Sequence, residues 1–352
     1  MASPETTPTS KQVATTHAVT EWYLRSYFRT PEDVGVTQMF CRRDRVGEFA
    51  VDQDALKAGE PAALFRLLVT MTMFQRRSDL QIMRVLQGIE ADDAQEMTDA
   101  ERLLALADNG CEHSRTLDAL LRRCDLAKSK ETRLGICGRN PAMRCHLKHH
   151  TELLKRYGHF GKMPTSVALM LRANQVPDLR VLRRAVWSRT DDPTTRAVAL
   201  GEALSRAWRI SEKIASMFLS AVSNKDLNGP LAPWAEGVDA SHFVVVDSNV
   251  DLYLAAIGYS GPKTYRARRE FVQALARRVC LDWISPGLDS YNPRIVQQGV
   301  YMFMSESNRR ANDRDCSLSE PSPCGTCPPI LAAPCPRRRS ARVEVNEAMS
   351  SK

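Results

Sequence analysis

Four cysteines, Cys316, Cys324, Cys327 and Cys335, are spaced C-x7-C-x2-C-x7-C within DCSLSEPSPCGTCPPILAAPC, a stretch too rich in proline to be helical. Four thiolates in one loop call for a metal. Zinc accepts a tetrahedron of cysteine sulfurs, and a [4Fe-4S] cluster takes four thiolates at wider, irregular spacing, so spacing alone leaves both open. The plain alternative is four unrelated cysteines in a tail. A second group, Cys111, Cys124, Cys137 and Cys145, stands among His113, His146, His149, His150 and His159. Cys137 and Cys145 with two of the others could ligate a second metal. The intervening 12, 12 and 7 residues fit no zinc pattern, however, and buried free cysteines with exposed histidines are the plainer expectation.

A third constellation is RAWRISEKIASMFLSAV followed by FVVVDSNVDLYLAAIGY. A helix, a tight turn near Arg209 to Glu212 and a second helix would aim backbone N–H groups at a phosphate, with the positive end of the helix dipole behind them. Asp247 closes an apolar run and precedes a helix whose start also offers Ser248 and Asn249. Alone, it reads as an N-cap. Lys213, alone, reads as a solvated helix lysine.

Taken together, these blocks resemble the helix-hairpin-helix DNA glycosylases, and among them the iron–sulfur branch typified by endonuclease III. Ile210-Ser211-Glu212-Lys213-Ile214-Ala215 is similar to the second half of that family's hairpin, L-P-G-V-G-x-K-x-A, and Val246-Asp247-Ser248-Asn249-Val250 is similar to its V-D-[ST]-[HN]-[VI]. Cys324-Gly325-Thr326-Cys327 reproduces the centre of its cluster loop, and LLVTMTMFQRRSD resembles the early helix whose glutamine, here Gln75, reaches into DNA. The resemblance implies a two-lobed, mostly α fold with a C-terminal iron–sulfur loop. It implies Asp247 as catalytic aspartate, Lys213 as Schiff-base lysine, Gln75, Arg209, Ser211 and Glu212 at the DNA, and Cys316, Cys324, Cys327 and Cys335 as ligands of a [4Fe-4S] cluster, zinc being the second choice. Departures are equally specific. Arg209 and Ser211 replace the two hairpin glycines, a Pro/Gly-containing loop from Ser223 to His242 lengthens the path to Asp247, and the cluster spacing is looser.

The elements that must position these residues are helical by their apolar spacing. Leu64, Leu67, Leu68, Met71 and Phe74 recur at three and four, Leu80, Met83 and Leu86 continue the stripe, and Leu169, Leu179, Leu182 and Val186 resume it. Ala203 to Val222 carries the hairpin, Phe243 to Val246 is the one plausible strand, and helices are expected over Arg266 to Cys280, with Cys280 a core thiol, and over Pro293 to Met304. The expected organisation is a disordered Ser/Thr/Pro tail at 1–18, N-terminal helices shared between lobes at 19–106 and a basic Cys/His-rich insertion at 107–163. A helical barrel lobe follows at 164–292, with the hairpin at about 204–222, then the C-terminal helix and cluster loop at 293–335 and a basic flexible tail at 336–352.

A chain of 352 residues predicts roughly two domains at about 150 residues each, and 43% hydrophobic with 26% charged residues excludes a wholly disordered or fibrous protein. Forty-nine Lys and Arg against 41 Asp and Glu favour a polyanionic partner and leave a membrane surface open, and the resemblance implies that the partner is double-stranded DNA. Arg309, Arg310, Arg314 and Arg337 to Arg339 would supply phosphate contacts, and Tyr157, His159 and Phe160 would wedge into DNA or, more plainly, pack as helix-end core. No run of about 18 apolar residues predicts a membrane span, and MASPETTPTSKQ lacks a signal-peptide core. A monomeric, cytoplasmic, DNA-associated protein with reduced cysteines is expected. Two other readings stay open: a transferase acting on modified thymine in DNA on the same architecture, as in phage base modification, and a non-catalytic DNA-binding module.

Overall fold

All regular elements among the described residues are helices. The computed structural model describes residues 7–28, 36–126, 137, 142, 145–155, 160–306, 309 and 326–336. In chain order the longer helices are α1 (Ser10–Ser26), α2 (Pro61–Met73), α3 (Asp79–Gln87), α4 (Ala91–Thr98), α5 (Ala100–Asp108), α6 (Leu117–Arg122) and α7 (His146–Leu153). They continue as α8 (Met163–Ala173), α9 (Leu179–Trp187), α10 (Pro193–Ser205), α11 (Glu212–Ser223), α12 (Ser248–Ala256), α13 (Tyr265–Ala276) and α14 (Pro293–Met304). The chain divides into two compact units, one made of Met1–Val34 with Val244–Lys352 and the other of Gly35–Phe243. The expected barrel lobe at 164–292 is therefore cut at residue 243, and no boundary falls at 106 or 163.

The first unit corrects the expected disordered tail at 1–18, because α1 begins at Ser10. Thr9 and Gln12 form a reciprocal capping box, which satisfies two of the N–H groups a helix start leaves open. The threonines that made this stretch look unfit for burial return their hydroxyls to their own helix: Thr16 Oγ1 donates to Gln12 O at 2.8 Å and Thr20 Oγ1 to Thr16 O at 2.8 Å. Once so satisfied, a threonine packs by its methyl group. Val19, Tyr253, Phe271 and Phe303 share the resulting core with α12, α13 and α14. At the crossing of α1 and α14, a Cβ on Gly299 would lie 3.2 Å from Tyr23 Cβ, so the absent side chain lets the two helices meet closely. Helix α14 has the expected bounds, with Asn292 capping the Ile295 N–H and Pro293 in the first turn.

Phe243 to Val246 is buried, but it is not a strand. The Tyr265 hydroxyl donates to Val244 O at 2.8 Å and accepts from Val246 N at 3.3 Å. One phenol thus answers the backbone groups that a neighbouring strand would otherwise have to pair. The expected helix through Cys280 ends earlier, at Ala276, and Cys280 is a half-buried residue at φ 53° rather than a helix-borne core thiol.

In the second unit, α2 is the central helix: Leu64, Leu67, Leu68 and Met71 are fully buried, each contributing about 2 kcal/mol by area. Described residues of the segment at 107–163, expected as an insertion, contribute to this core. Leu117, Leu120, Leu126, Leu147, Leu154 and Phe160 are all buried in the same cluster as α2. Gly161 holds that segment to α7: a Cβ there would lie 2.1 Å from Leu147 O and 2.2 Å from Thr151 Oγ1, so only glycine permits the approach. No helix of the described residues is long and apolar enough to cross a membrane.

Candidate functional site

The helix–turn–helix block lies wholly in the second unit. Asp192 caps α10 through Thr195 N, and α10 ends at Ser205. The turn is anchored from below, where Ser166 Oγ of α8 accepts from Trp208 N at 3.0 Å and Ile210, Ile214 and Ala215 are buried. Arg209 adopts φ 65°, the left-handed conformation that glycine takes without cost, and its side chain is exposed. Ser211 begins α11 at φ −83° and ψ 173° and its side chain makes no capping hydrogen bond. Of the two positions where the hairpin motif has glycine, Arg209 therefore takes a conformation that favours glycine and Ser211 does not. Glu212, the exposed first residue of α11, complements the helix dipole but would repel a phosphate, so at most its backbone N–H serves an anion. Lys213 follows it, half-buried.

The loop after α2 is the second component. Gln75 folds back, its Nε2 donating to Thr72 O at 2.6 Å and approaching Met163 Sδ at 3.8 Å, so it would have to release that carbonyl to reach DNA. Arg76, exposed at φ 61°, is a residue the sequence reading missed. The Arg209 guanidinium is held below its ordinary pKa by partial burial first and by the nearby Arg76 charge second. Neither arginine has a carboxylate partner among the described residues. Arg209 lies over the Trp208 ring at 5.6 Å, Lys162 over the same ring at 4.9 Å, and Arg77 donates to Lys155 O at 2.9 Å. Arg76 and Arg209 are thus two exposed arginines with left-handed backbones, each within reach of the other's charge.

Asp247 belongs to the first unit. It is the N-cap of α12, accepting from Val250 N at 2.9 Å. Arg294 of α14, in the same unit, is 4% exposed and has its pKa pushed down to about 10, chiefly by burial and against the opposing charge of Asp247 among others. Its Nη1 donates to Gln297 Oε1 at 2.5 Å and Gln298 Oε1 at 2.8 Å.

Of the C-terminal cysteines, Cys316 and Cys324 lie outside the described residues. Cys327 and Cys335 are half-buried on either side of the short helix Pro329–Ala332, and Cys335 packs against the first unit's core. Arg309 is corrected from phosphate contact to core residue: it is 1% exposed, with its guanidinium 6.0 Å from the Trp22 ring and 5.9 Å from that of Phe303. Arg310, Arg314 and Arg337 to Arg339 lie outside the described residues, as do Tyr157 and His159, while Phe160 is core. Trp283, which the sequence reading passed over, is 84% exposed, and an indole so placed offers a stacking surface. Comparison of the chain with family models, curated proteins and solved structures gives no match.

Proposed function

We propose that the protein is a DNA base-excision glycosylase acting on double-stranded DNA, with Asp247 as the catalytic carboxylate and Lys213 as nucleophile for an associated strand cleavage. One observation supports this reading above the others. Arg209, where the resembled family has glycine, adopts the left-handed conformation that favours glycine, and it lies within the field of Arg76, which supports a phosphate contact at this turn. The target base must leave the stack before its C1′–N bond breaks through a transition state resembling a sugar cation. The Asp247 carboxylate offsets that positive charge, and the Lys213 amine, having given its proton to solvent, is the nucleophile. The amine then bonds to C1′ as the base departs with the electron pair of the broken bond, and the resulting Schiff base permits β-elimination of the 3′ phosphate. Cys316, Cys324, Cys327 and Cys335 would hold a [4Fe-4S] cluster whose chemistry is structural, tying the tail to the fold.

A non-catalytic DNA-binding reading is favoured by one fact, that the Asp247 carboxylate already serves as a helix cap. One experiment separates the two: base release and borohydride trapping on a panel of lesion-bearing and modified DNAs. Asn also caps helices, so Asp247→Asn is expected to keep fold and binding while base release falls by about 100-fold or more. Lys213→Gln is expected to abolish trapping. Release undiminished in Asp247→Asn, or none from the native chain on any substrate, defeats the catalytic assignment.

A further inference from the structure

Cys111, Cys124, Cys137 and Cys145, which come from four separate places in the second unit, line a single cavity of about 200 Å³. Cys111 precedes the turn Glu112–Ser114, Cys124 follows α6, and Cys145 is the N-cap residue of α7. Their thiols lie in one another's electrostatic field, Cys124 with Cys137 and Cys145 with both Cys124 and Cys111. We propose that these four cysteines bind a [4Fe-4S] cluster in the second unit, separate from any centre at the C-terminal cysteines.

Two features separate a cluster from a single ion. Zinc bonded at about 2.3 Å to four sulfurs would draw them to about 3.8 Å from each other, around one point. Among the described residues no group of three or more His, Cys, Asp or Glu side chains converges in that way. In a cubane each thiolate binds its own iron, so the four sulfurs stand apart around a body of considerable volume. A cavity lined by four thiols, with a volume several times the roughly 30 Å³ share of one water, has room for the cluster.

Charge points the same way. Four thiolates around a dicationic cluster core leave a net negative charge, which is costly in a core unless a cation lies near. Lys162 is 1% exposed and donates from Nζ to Cys124 O at 2.7 Å and to Leu120 O at 3.4 Å, and its positive charge acts on the Cys124 thiol. A buried ammonium beside a neutral thiol is an expensive arrangement; beside a cluster ligand it offsets charge. Lys148 also lines the cavity, against the opposing carboxyl groups of Glu112 and Asp125. Gly161, by its close approach to α7, fixes the backbone next to Lys162.

The inference stands whether or not the protein is a glycosylase. The test is iron and acid-labile sulfide per chain in the full-length protein purified without oxygen. Cys124→Ser with Cys145→Ser is expected to lose about four iron and four sulfide relative to the native chain. Cys324→Ser with Cys327→Ser is expected to leave those four in place, and removes a further four only if the C-terminal loop also holds a cluster, so the two assignments fail separately. Because loss of a cluster can unfold the chain, a second measurement uses the native protein. Cys111 and Cys137, both partly exposed, should resist alkylation together and become reactive together once the iron is stripped by oxidant and chelator. Unchanged iron in the Cys124/Cys145 variant, zinc in place of iron and sulfide, or equal alkylation before and after stripping overturns the proposal.

Discussion

Arginine 209 carries two conflicting demands, and they can be measured apart. Its left-handed backbone costs about 1 kcal/mol or more in a residue with a Cβ, and its guanidinium feels the like charge of Arg76, whose backbone is also left-handed. Arg209→Gly removes both burdens. It is expected to raise the unfolding free energy by about 1 kcal/mol while weakening DNA binding, and to lower the slope of log K against log salt by about 0.9, the loss of one phosphate contact. Arg76→Gly should repeat the pattern. A denaturation midpoint paired with a salt titration checks both, and unchanged affinity would show that the pair serves no phosphate. Little of this was legible in the sequence. Gln75 and Arg209 were singled out from motif spacing, but spacing carries no φ angle, so the pairing of two arginines from distant segments could not be read.

At the scale of elements, α7 shows how histidines that looked like surface or metal groups act as packing. His150 is buried and its Nε2 meets Glu96 Oε1 of α4 at 3.0 Å, while His149 meets Asp93 of the same helix at 2.8 Å. His146, with Nε2 3.1 Å from Thr165 Oγ1, has its pKa pushed from 6.5 down to about 4, first by burial and then by His150. The folded state therefore holds His146 neutral where the unfolded chain would protonate it. Its contribution is full above pH 6.5 and is lost as the pH falls toward about 4. Glu96, whose pKa is lowered by its bond to His150, adds loss in the same direction at the acid end. The melting temperature should drop across this range, and His146→Gln, which can keep a bond to Thr165, should flatten the drop; an equally steep profile in the variant refutes the assignment. The sequence made helices legible where side-chain chemistry was local. The spacing in α2 and the Pro293 start of α14 marked those elements correctly. It failed on α1, because hydroxyls satisfied within a helix are invisible to composition. Although it grouped the four cysteines of the second unit, it could not show that they line one cavity, which is made by tertiary packing and not by spacing.

On the scale of the whole molecule, each unit has a hydrophobic core of its own. Val19, 0% exposed in α1, belongs to the first, so Val19→Asp should unfold that unit while fragments spanning residues 35–243 stay resistant to limited proteolysis. Uniform digestion would show that the two cores melt as one. The pairing of α1 with α14 also sets a schedule during synthesis. A ribosome adding about 5–20 residues per second completes the second unit's contiguous chain while α1 still lacks the helices it packs against. For some tens of seconds Val19, Tyr23 and Leu24 of α1 wait without the helices that bury them. The yield of folded protein should therefore be more sensitive to translation speed than the folded structure alone would indicate.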